Sequence, residues 1–417
     1  MKKENCILFF FMVLAFCCSP ILCTAQNEVI DNLLKKSTLG KEDTTKVIIY
    51  LELSKELLYI EPHRARFYAE KALGLSQKFK DEKRIAFSME LMAKCFSEEN
   101  EIDKSIEYHT RSIHYFEKIE DFQSVASALI DLGLIRFKQG QYVFATEYFI
   151  KSIKYFEKIN DKIGSSDAYI NLGVVAMKQG NFKESIEYFI KSLKIKEELK
   201  DNSGIAMAKG NLANLYRDQN NYERALVYYF QSLELFQVLE DKFGEGSALT
   251  NIGITYKLQK KYKEALHYYQ QALILFEDIG WKFGMASCYS NLASIYNDQM
   301  NYKLSIINNE KALKIFEELE NTEAVCGRHI EIGSVLTKME EYDKAYYNLQ
   351  KGLKIAKEIG SKSRELESYN YLYEYFHSLK NYKSSLEYYK LYAEVKDSVF
   401  NIEKSQQLAE IQTKYEI

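Results

Sequence analysis

The sequence is built on a segment that recurs every 40 residues without a slip. A fixed period in this range is typical of architectures in which similar units stack on one another. The series extends back to Ile102 and Pro62, which predicts about nine units in one array instead of several separate globular domains. The recurring dipeptides that define the period are Gln141-Tyr142, Asn181-Phe182, Asn221-Tyr222, Lys261-Tyr262, Asn301-Tyr302, Glu341-Tyr342 and Asn381-Tyr382.

Each unit is predicted to be a pair of helices, as the stretch from Asp161 to Lys200 illustrates. Asp161 suits the cap before the first helix, and Gly180 suits a left-handed residue at its end. In the second helix, Phe189 and Leu193 belong to an apolar series at three- and four-residue spacing, which marks one buried face. The sequence therefore predicts an all-α fold.

The residue that precedes each first helix repeats with the same period. Six of the seven positions hold a residue that can cap a helix, and the exception is Trp281. We therefore expect the junction at Trp281 to differ locally from the others. The seven positions are Asp121, Asp161, Asp201, Asp241, Trp281, Asn321 and Ser361.

Small residues recur at one position in each helix, where we expect two helices to cross closely. A side chain larger than alanine at such a position would push the helix axes apart, so Gly173→Leu should destabilise the fold through overpacking. Aromatic pairs such as Tyr188-Phe189 fill the neighbouring volume, so most of the 33 tyrosines are predicted to lie in the core or the groove wall. The small residues of the first helices are Ala93, Gly133, Gly173, Ala213, Gly253, Ala293 and Gly333, and those of the second helices are Ala65, Ser105, Ala145, Ser185, Ala225, Ala265, Ser305, Ala345 and Ser385.

This unit resembles the tetratricopeptide repeat, most closely over residues 169–182, and the resemblance covers about residues 44–397. It implies a right-handed superhelical solenoid of about nine helix pairs, with the first helices lining a concave groove. The common repeat has 34 residues, so a 40-residue period implies that both helices are longer. Two further departures are Asn308-Asn309 in place of an aromatic pair and Tyr373 in place of a small residue.

A ladder of asparagines lies two residues before the small residue of four first helices, at a position that faces the groove in this family. An asparagine side chain both donates and accepts hydrogen bonds, so a ladder could hold the backbone of an extended peptide. The alternative is that asparagine is simply common at this position of the repeat. No lysine lies four residues before these asparagines, which argues against a clamp for a terminal carboxylate. The ladder is Asn171, Asn211, Asn251 and Asn291.

One turn after the ladder, further polar residues are predicted to line the groove of the middle repeats. Mixed polar and aromatic walls suit an extended or helical peptide, so the expected partner is a protein or peptide. These residues are Asn214, Arg217, Lys257 and Asn297.

The N-terminus has the order of a secretory signal peptide: two lysines, an apolar run and a small residue at Ala25. We expect cleavage after Ala25, and the alternatives are an uncleaved anchor or a lipoprotein. The predicted domains are a signal peptide (1–25), a lead-in (26–43), the array (44–397) and a capping or coiled-coil helix (398–417). These features predict export to the periplasm or cell envelope of a bacterium.

No catalytic, phosphate-binding or calcium-binding motif is present, so we expect no enzyme activity, no cofactor and no metal site. The formal net charge of −3 argues against nucleic acid as a partner. His109 and His114 are five residues apart, which is off the helical i,i+4 face. Cys95, Cys288 and Cys326 are spaced too widely for a zinc site or a disulfide framework, and we expect them to be buried core residues.

The last 20 residues resemble the end of the repeat region in membrane-anchored bacterial regulators. In that group an extracytoplasmic array is followed by a membrane span and a histidine-kinase or helix-turn-helix output domain. The alternative function is therefore the sensory part of such a regulator, with its output half absent from this sequence. A membrane would be a partner only if the N-terminus stayed uncleaved or a span followed Ile417.

Overall fold

The protein is represented by a computed structural model that describes residues 20–39 and 42–416. Most of the predicted signal peptide, residues 1–19, lies outside the described residues. Two compact units make up the fold: unit 1 holds residues 1–201 together with 413–417, and unit 2 holds residues 202–412. Within the described ranges the chain forms 19 α-helices and no strand, so the predicted all-α class is confirmed.

Unit 1 begins with a single helix, which is followed by four helix pairs. Successive helices contact one another, and each pair places its two helices in antiparallel contact. The helices are α1 (Pro20–Thr38), α2 (Thr44–Leu57), α3 (Pro62–Lys78), α4 (Glu82–Glu98), α5 (Ile102–Lys118), α6 (Phe122–Lys138), α7 (Tyr142–Lys158), α8 (Lys162–Lys178) and α9 (Phe182–Glu198).

Unit 2 contains five further pairs, and its last helix is twice as long as the others. The chain therefore has nine helix pairs in the described residues, as the period predicted. The helices are α10 (Asn202–Asp218), α11 (Tyr222–Val238), α12 (Lys242–Leu258), α13 (Tyr262–Asp278), α14 (Lys282–Asp298), α15 (Tyr302–Glu318), α16 (Thr322–Lys338), α17 (Tyr342–Glu358), α18 (Lys362–Ser378) and α19 (Tyr382–Glu416).

The 40-residue period arises from two half-units of equal length. From α3 to α18 every helix has 17 residues, so three linking residues complete a half-unit of 20. The middle linker residue has a positive φ, as at Asn160 (57°) and Gly180 (77°). After α7, for example, the N–H of Asp161 donates to the oxygen of Phe156 at 2.8 Å, which satisfies the end of the helix. The prediction that both helices are longer than in the common repeat is therefore consistent with two equal 17-residue helices.

The predicted caps form at four of the seven junctions in a directly visible way. Asp121, Asp161, Asp241 and Asn321 each accept a hydrogen bond from the backbone N–H three residues later, at 2.9–3.2 Å. Ser361 makes no such side-chain bond, so its predicted capping role is wrong.

The junction at Trp281 differs in its side-chain contacts and not in its backbone. Its φ and ψ of −82° and 85° match the −81° and 85° of Asp241, although the indole makes no capping hydrogen bond. The ring instead packs edge-on against Phe276, with 4.6 Å between centroids, and against Phe243 at 4.7 Å. The expected local difference is thus an aromatic cluster on an unchanged turn.

The helix crossing inside each pair is tighter than the sequence suggested. A Cβ atom at Gly173 would lie 2.4 Å from Cε1 of Phe189, so even alanine is too large there. On the other side of the crossing, the Ser185 hydroxyl donates to the oxygen of Gly173 at 2.8 Å. The expectation that alanine would be tolerated at every crossing is therefore wrong at this one.

The three cysteines within the array lie in the core, as predicted. Cys95, Cys288 and Cys326 are fully buried and are free thiols. Burial raises the pKa of Cys95 and of Cys288 to about 12 and that of Cys326 to about 11. Such thiols are small packing residues and poor nucleophiles at neutral pH.

A search of the described helices for one both long enough and apolar enough to cross a membrane finds none.

Candidate functional site

Unit 2 brings the first helices of successive repeats side by side. Helix α10 contacts α12, α12 contacts α14, and α16 contacts α18. We call the surface that these five first helices present the first-helix face. It carries most of the residues that the sequence analysis assigned to the groove.

A row of hydrogen bonds runs along the first-helix face and joins each repeat to the next. The Arg217 guanidinium donates from Nη1 to Oδ1 of Asn251 at 3.2 Å. Lys257 donates to the hydroxyl of Ser294, and Lys338 donates to Oδ1 of Asn297 at 3.0 Å. Each donor is a cation, and each acceptor lies on a neighbouring first helix.

These bonds fix part of the hydrogen-bonding capacity of the asparagines and leave the rest. Asn211, Asn251 and Asn291 are half-buried. The oxygen of Asn251 accepts from Arg217, so its amide N–H groups and one lone pair are left for further partners. An asparagine held in this way is oriented before a ligand arrives, which lowers the entropy lost on binding.

Two predicted site residues are placed in the core. Asn214 is 8% exposed, and its Oδ1 accepts from the Tyr229 hydroxyl at 2.5 Å. Asn171 is 5% exposed and belongs to unit 1, so it is described apart from the other three ladder residues. The main role of Asn214 is to satisfy a buried tyrosine.

Arg217 supplies the most enclosed charge of the first-helix face. Only 6% of the residue is exposed, and its Nε lies 3.6 Å from Oδ1 of Asp218. A guanidinium has five N–H donors in a fixed fork, so the two contacts named here use only part of its capacity.

Sequence reasoning missed the acidic end of this face, although the 40-residue register contained the signal. The next two ladder positions after Asn291 are Glu331 on α16 and Tyr371 on α18. Beside them, Arg364 donates to Glu367 and to Glu323, both at 2.7 Å. Burial raises the pKa of the Glu367 carboxyl. The face thus passes from cations and amides on α10–α14 to carboxylates on α16 and α18.

No metal site accompanies this row. In the ranges that the structure describes, no group of three or more His, Cys, Asp or Glu side chains is arranged to hold a metal ion.

Comparison with known families identifies the repeat. Residues 124–198, 164–238 and 204–278 each match the family model of the tetratricopeptide repeat. The predicted resemblance is therefore confirmed. No curated protein matches the sequence of the chain.

Solved structures with the same kind of fold have low sequence identity to this chain. A Rap protein complexed with competence and sporulation factor has a TM-score of 0.53 and 17% identity, over 86% of this chain and 99% of that one. The apo quorum sensor NprR from B. thuringiensis has a TM-score of 0.55 and 16% identity, over 83% of this chain and 97% of that one.

A third structure is a signal-transduction ATPase with a tetratricopeptide repeat sensor, from Pyrococcus horikoshii. Its TM-score is 0.57 with 19% identity, over 87% of this chain. This chain spans 54% of that protein, which is less than two thirds of its length. At these identities the three structures establish the fold alone.

Proposed function

We propose that this chain, whose residues 124–278 are tetratricopeptide repeats, is a non-catalytic scaffold that binds a protein or peptide partner on the first-helix face of unit 2. The observation that carries the proposal is the hydrogen bond from Arg217 to Asn251, repeated in kind by the pair Lys338 and Asn297. Each bond orients an amide on a surface shared by several repeats.

Oriented amides suit the backbone of an extended peptide. The peptide group has one donor and one acceptor, and the asparagine side chain has the complementary pair. Capture of this kind gives affinity with little regard to sequence, whereas the neighbouring charged side chains select the ligand. Two of the structural neighbours, a Rap protein complexed with competence and sporulation factor and the quorum sensor NprR, support this reading.

The charges of the face give the ligand a direction. Arg217 and Lys257 favour acidic side chains over α10–α14, while Glu331 and Glu367 favour basic side chains over α16 and α18. We expect a peptide whose acidic end lies toward Arg217.

Two further parts of the proposal come from the sequence. The absence of a catalytic motif supports a binding role, and the order of lysines, apolar run and small residue at the N-terminus supports export to the periplasm or cell envelope. Intact-mass analysis of the mature protein from native cells checks the export proposal, because cleavage after Ala25 removes a defined mass.

One observation favours the second candidate, a sensory part of a membrane-bound regulator. Helix α19 has 35 residues, whereas the other helices of unit 2 have 17. A long terminal helix of this kind suits the transmission of a conformational change. A membrane-bound species larger than 48.8 kDa in native cells would favour this candidate.

The binding proposal is tested with the double substitution Asn211→Ala and Asn251→Ala. Random peptides displayed on phage are selected on the wild-type protein, and the best peptide is measured on both proteins by calorimetry. We expect binding at least about tenfold weaker in the variant. Loss of the Arg217 contact should lower the free energy of unfolding by only about 1 kcal/mol.

The matched control is Gln270→Ala, at an exposed position on the second helix α13. It should leave peptide binding unchanged. If the double variant binds as tightly as wild type, or if it unfolds together with the loss of binding, the asparagines are structural and the proposal fails.

A further inference from the structure

Unit 1 contains a cavity of about 570 Å³ on the side of its second helices. It lies between α5 and α7, and α6 forms its floor. The volume is within the range of sites that hold small molecules. It shares no residue with the first-helix face.

The cavity exists because one side chain is small. Thr110 on α5 lines it, and the Thr110 hydroxyl donates back to the oxygen of Ile106 at 2.8 Å. Three repeats later the same position holds Phe230, which packs edge-on against Tyr268 with 6.0 Å between ring centroids. Tyr148 is the equivalent of Tyr268, so in unit 1 threonine leaves open the space that phenylalanine fills in unit 2.

The floor of the cavity is apolar and its rim is cationic. Ile113, Leu129 and Leu132 form the floor. Lys151, Lys154 and Lys158 follow one another at three- and four-residue spacing on α7 and line one side.

The only carboxylate among the lining residues is already engaged. Glu117 accepts a hydrogen bond from the Tyr155 hydroxyl at 2.5 Å. Two of the lysines lie against rings: the Lys158 ammonium is 3.5 Å from the centroid of Phe122, and that of Lys151 is 5.9 Å from that of Tyr148. The rim therefore carries an excess of positive charge beside apolar surface.

We propose that this cavity binds a small amphiphilic carboxylate, a molecule with one anionic group on an aliphatic or aromatic body. The apolar body would cover Ile113, Leu129 and Leu132, and the carboxylate would meet the lysines. A neutral ligand would leave the cationic rim without a counter-charge, and a cationic ligand would be repelled by it. This site is independent of the peptide-binding proposal.

The test uses the full chain and two probes with the same apolar body, decanoate and decyltrimethylammonium. Isothermal titration calorimetry is carried out on wild type, on Thr110→Phe and on Gln270→Phe. Thr110→Phe inserts into the cavity the ring that Phe230 provides in unit 2. Gln270→Phe places the same ring at the equivalent exposed position of α13, outside the cavity.

We expect decanoate to bind wild type and Gln270→Phe equally and to bind Thr110→Phe about tenfold or more weakly. Decyltrimethylammonium should show no binding that Thr110→Phe removes. A second variant, Lys154→Glu, changes only an exposed side chain and should also weaken decanoate binding, whatever the fold of Thr110→Phe.

Three results would overturn the proposal. Equal binding of decanoate to wild type and Thr110→Phe would show that the cavity is not the site. Equal binding of both probes would show that charge plays no part. Binding of the acidic peptide acetyl-Glu-Glu-Phe-Glu-Glu-amide without binding of decanoate would make the occupant a protein segment.

Discussion

The Arg328 guanidinium donates from Nη1 to Oδ1 of Asn309 at 2.7 Å, inside unit 2. Both residues depart from the repeat. The position of Arg328 holds Ala248 and Cys288 in the two preceding repeats, and that of Asn309 holds Tyr269 in the repeat before it. A small residue has become large and a large one small. Asn309 is 2% exposed, and burial lowers the pKa of Arg328, so the two polar side chains satisfy each other within the core.

We predict that the substitutions Asn309→Tyr and Arg328→Ala are each destabilising and jointly compensate. Asn309→Tyr alone overpacks against Arg328, at a cost of about 1–3 kcal/mol. Arg328→Ala alone leaves a buried amide without its partner, at a similar cost of about 1–3 kcal/mol. Together they restore the residue types of the preceding repeat. Urea unfolding of the four proteins measures the coupling free energy, and additive effects would show that the two positions are independent.

We predict that Gly173→Ala is destabilising although alanine favours helices. The added methyl group would lie 2.4 Å from the ring of Phe189, so either the ring or the helix must shift, at about 1–3 kcal/mol. The matched control is Gly74→Ala on α3, where nothing lies within 4 Å of the new methyl group. That change should stabilise unit 1 by about 0.5–1 kcal/mol. Thermal unfolding distinguishes the two, and equal shifts in melting temperature would contradict the crossing geometry.

We predict opposite outcomes for two equivalent tyrosines of unit 2. The Tyr229 hydroxyl donates to Asn214, whereas the buried Tyr269 hydroxyl has no hydrogen-bond partner in the described part of the chain. The reason is that Ile254 occupies in the next repeat the place of Asn214. Tyr229→Phe should lower the free energy of unfolding by about 1–3 kcal/mol, because it leaves the Asn214 oxygen unpaired.

Tyr269→Phe should raise the free energy of unfolding or leave it unchanged, since it removes an unsatisfied buried hydroxyl and keeps the ring. Urea unfolding of both variants provides the measurement. A loss of stability in Tyr269→Phe equal to that in Tyr229→Phe would mean that the Tyr269 hydroxyl is bonded in solution.

We predict that His109 makes unit 1 less stable in mild acid. The side chain is 1% exposed, and burial together with the positive charge of Lys94 lowers its pKa to about 4, while nearby Glu90 acts in the opposite direction. In the unfolded chain the pKa returns to its ordinary 6.5, so the unfolded state binds the proton first. This contribution to stability is present above pH 6.5 and is lost as the pH falls from 6.5 toward 4, by roughly 3 kcal/mol in all.

Urea unfolding between pH 4 and pH 7 measures this loss of stability. His109→Gln cannot titrate and should flatten the pH profile. His114→Gln, on the exposed side of the same helix, should keep the wild-type profile. A His109→Gln profile parallel to that of wild type would contradict the prediction.

Much of the fold followed from the sequence because each repeat states the same instructions. The period predicted the number of helix pairs, and Gly180 predicted the left-handed turn that it forms. The candidate site was predicted less completely. Asn251 lies on a shared face as expected, but Asn214 serves Tyr229 in the core, and the sequence analysis ended the ladder at Asn291 although Glu331 and Tyr371 continue its register.

The sequence by itself determined the all-α class, the helix pairs and the burial of Cys95, Cys288 and Cys326, because local propensity and apolar spacing repeat along one dimension. Only the tertiary structure decided which side chains meet between helices. The distance from Gly173 to Phe189, the pairing of Arg328 with Asn309 and the cavity beside Thr110 each depend on side-chain volumes that face one another across two helices. Such volumes are far apart in the sequence and are compared only when the helices pack.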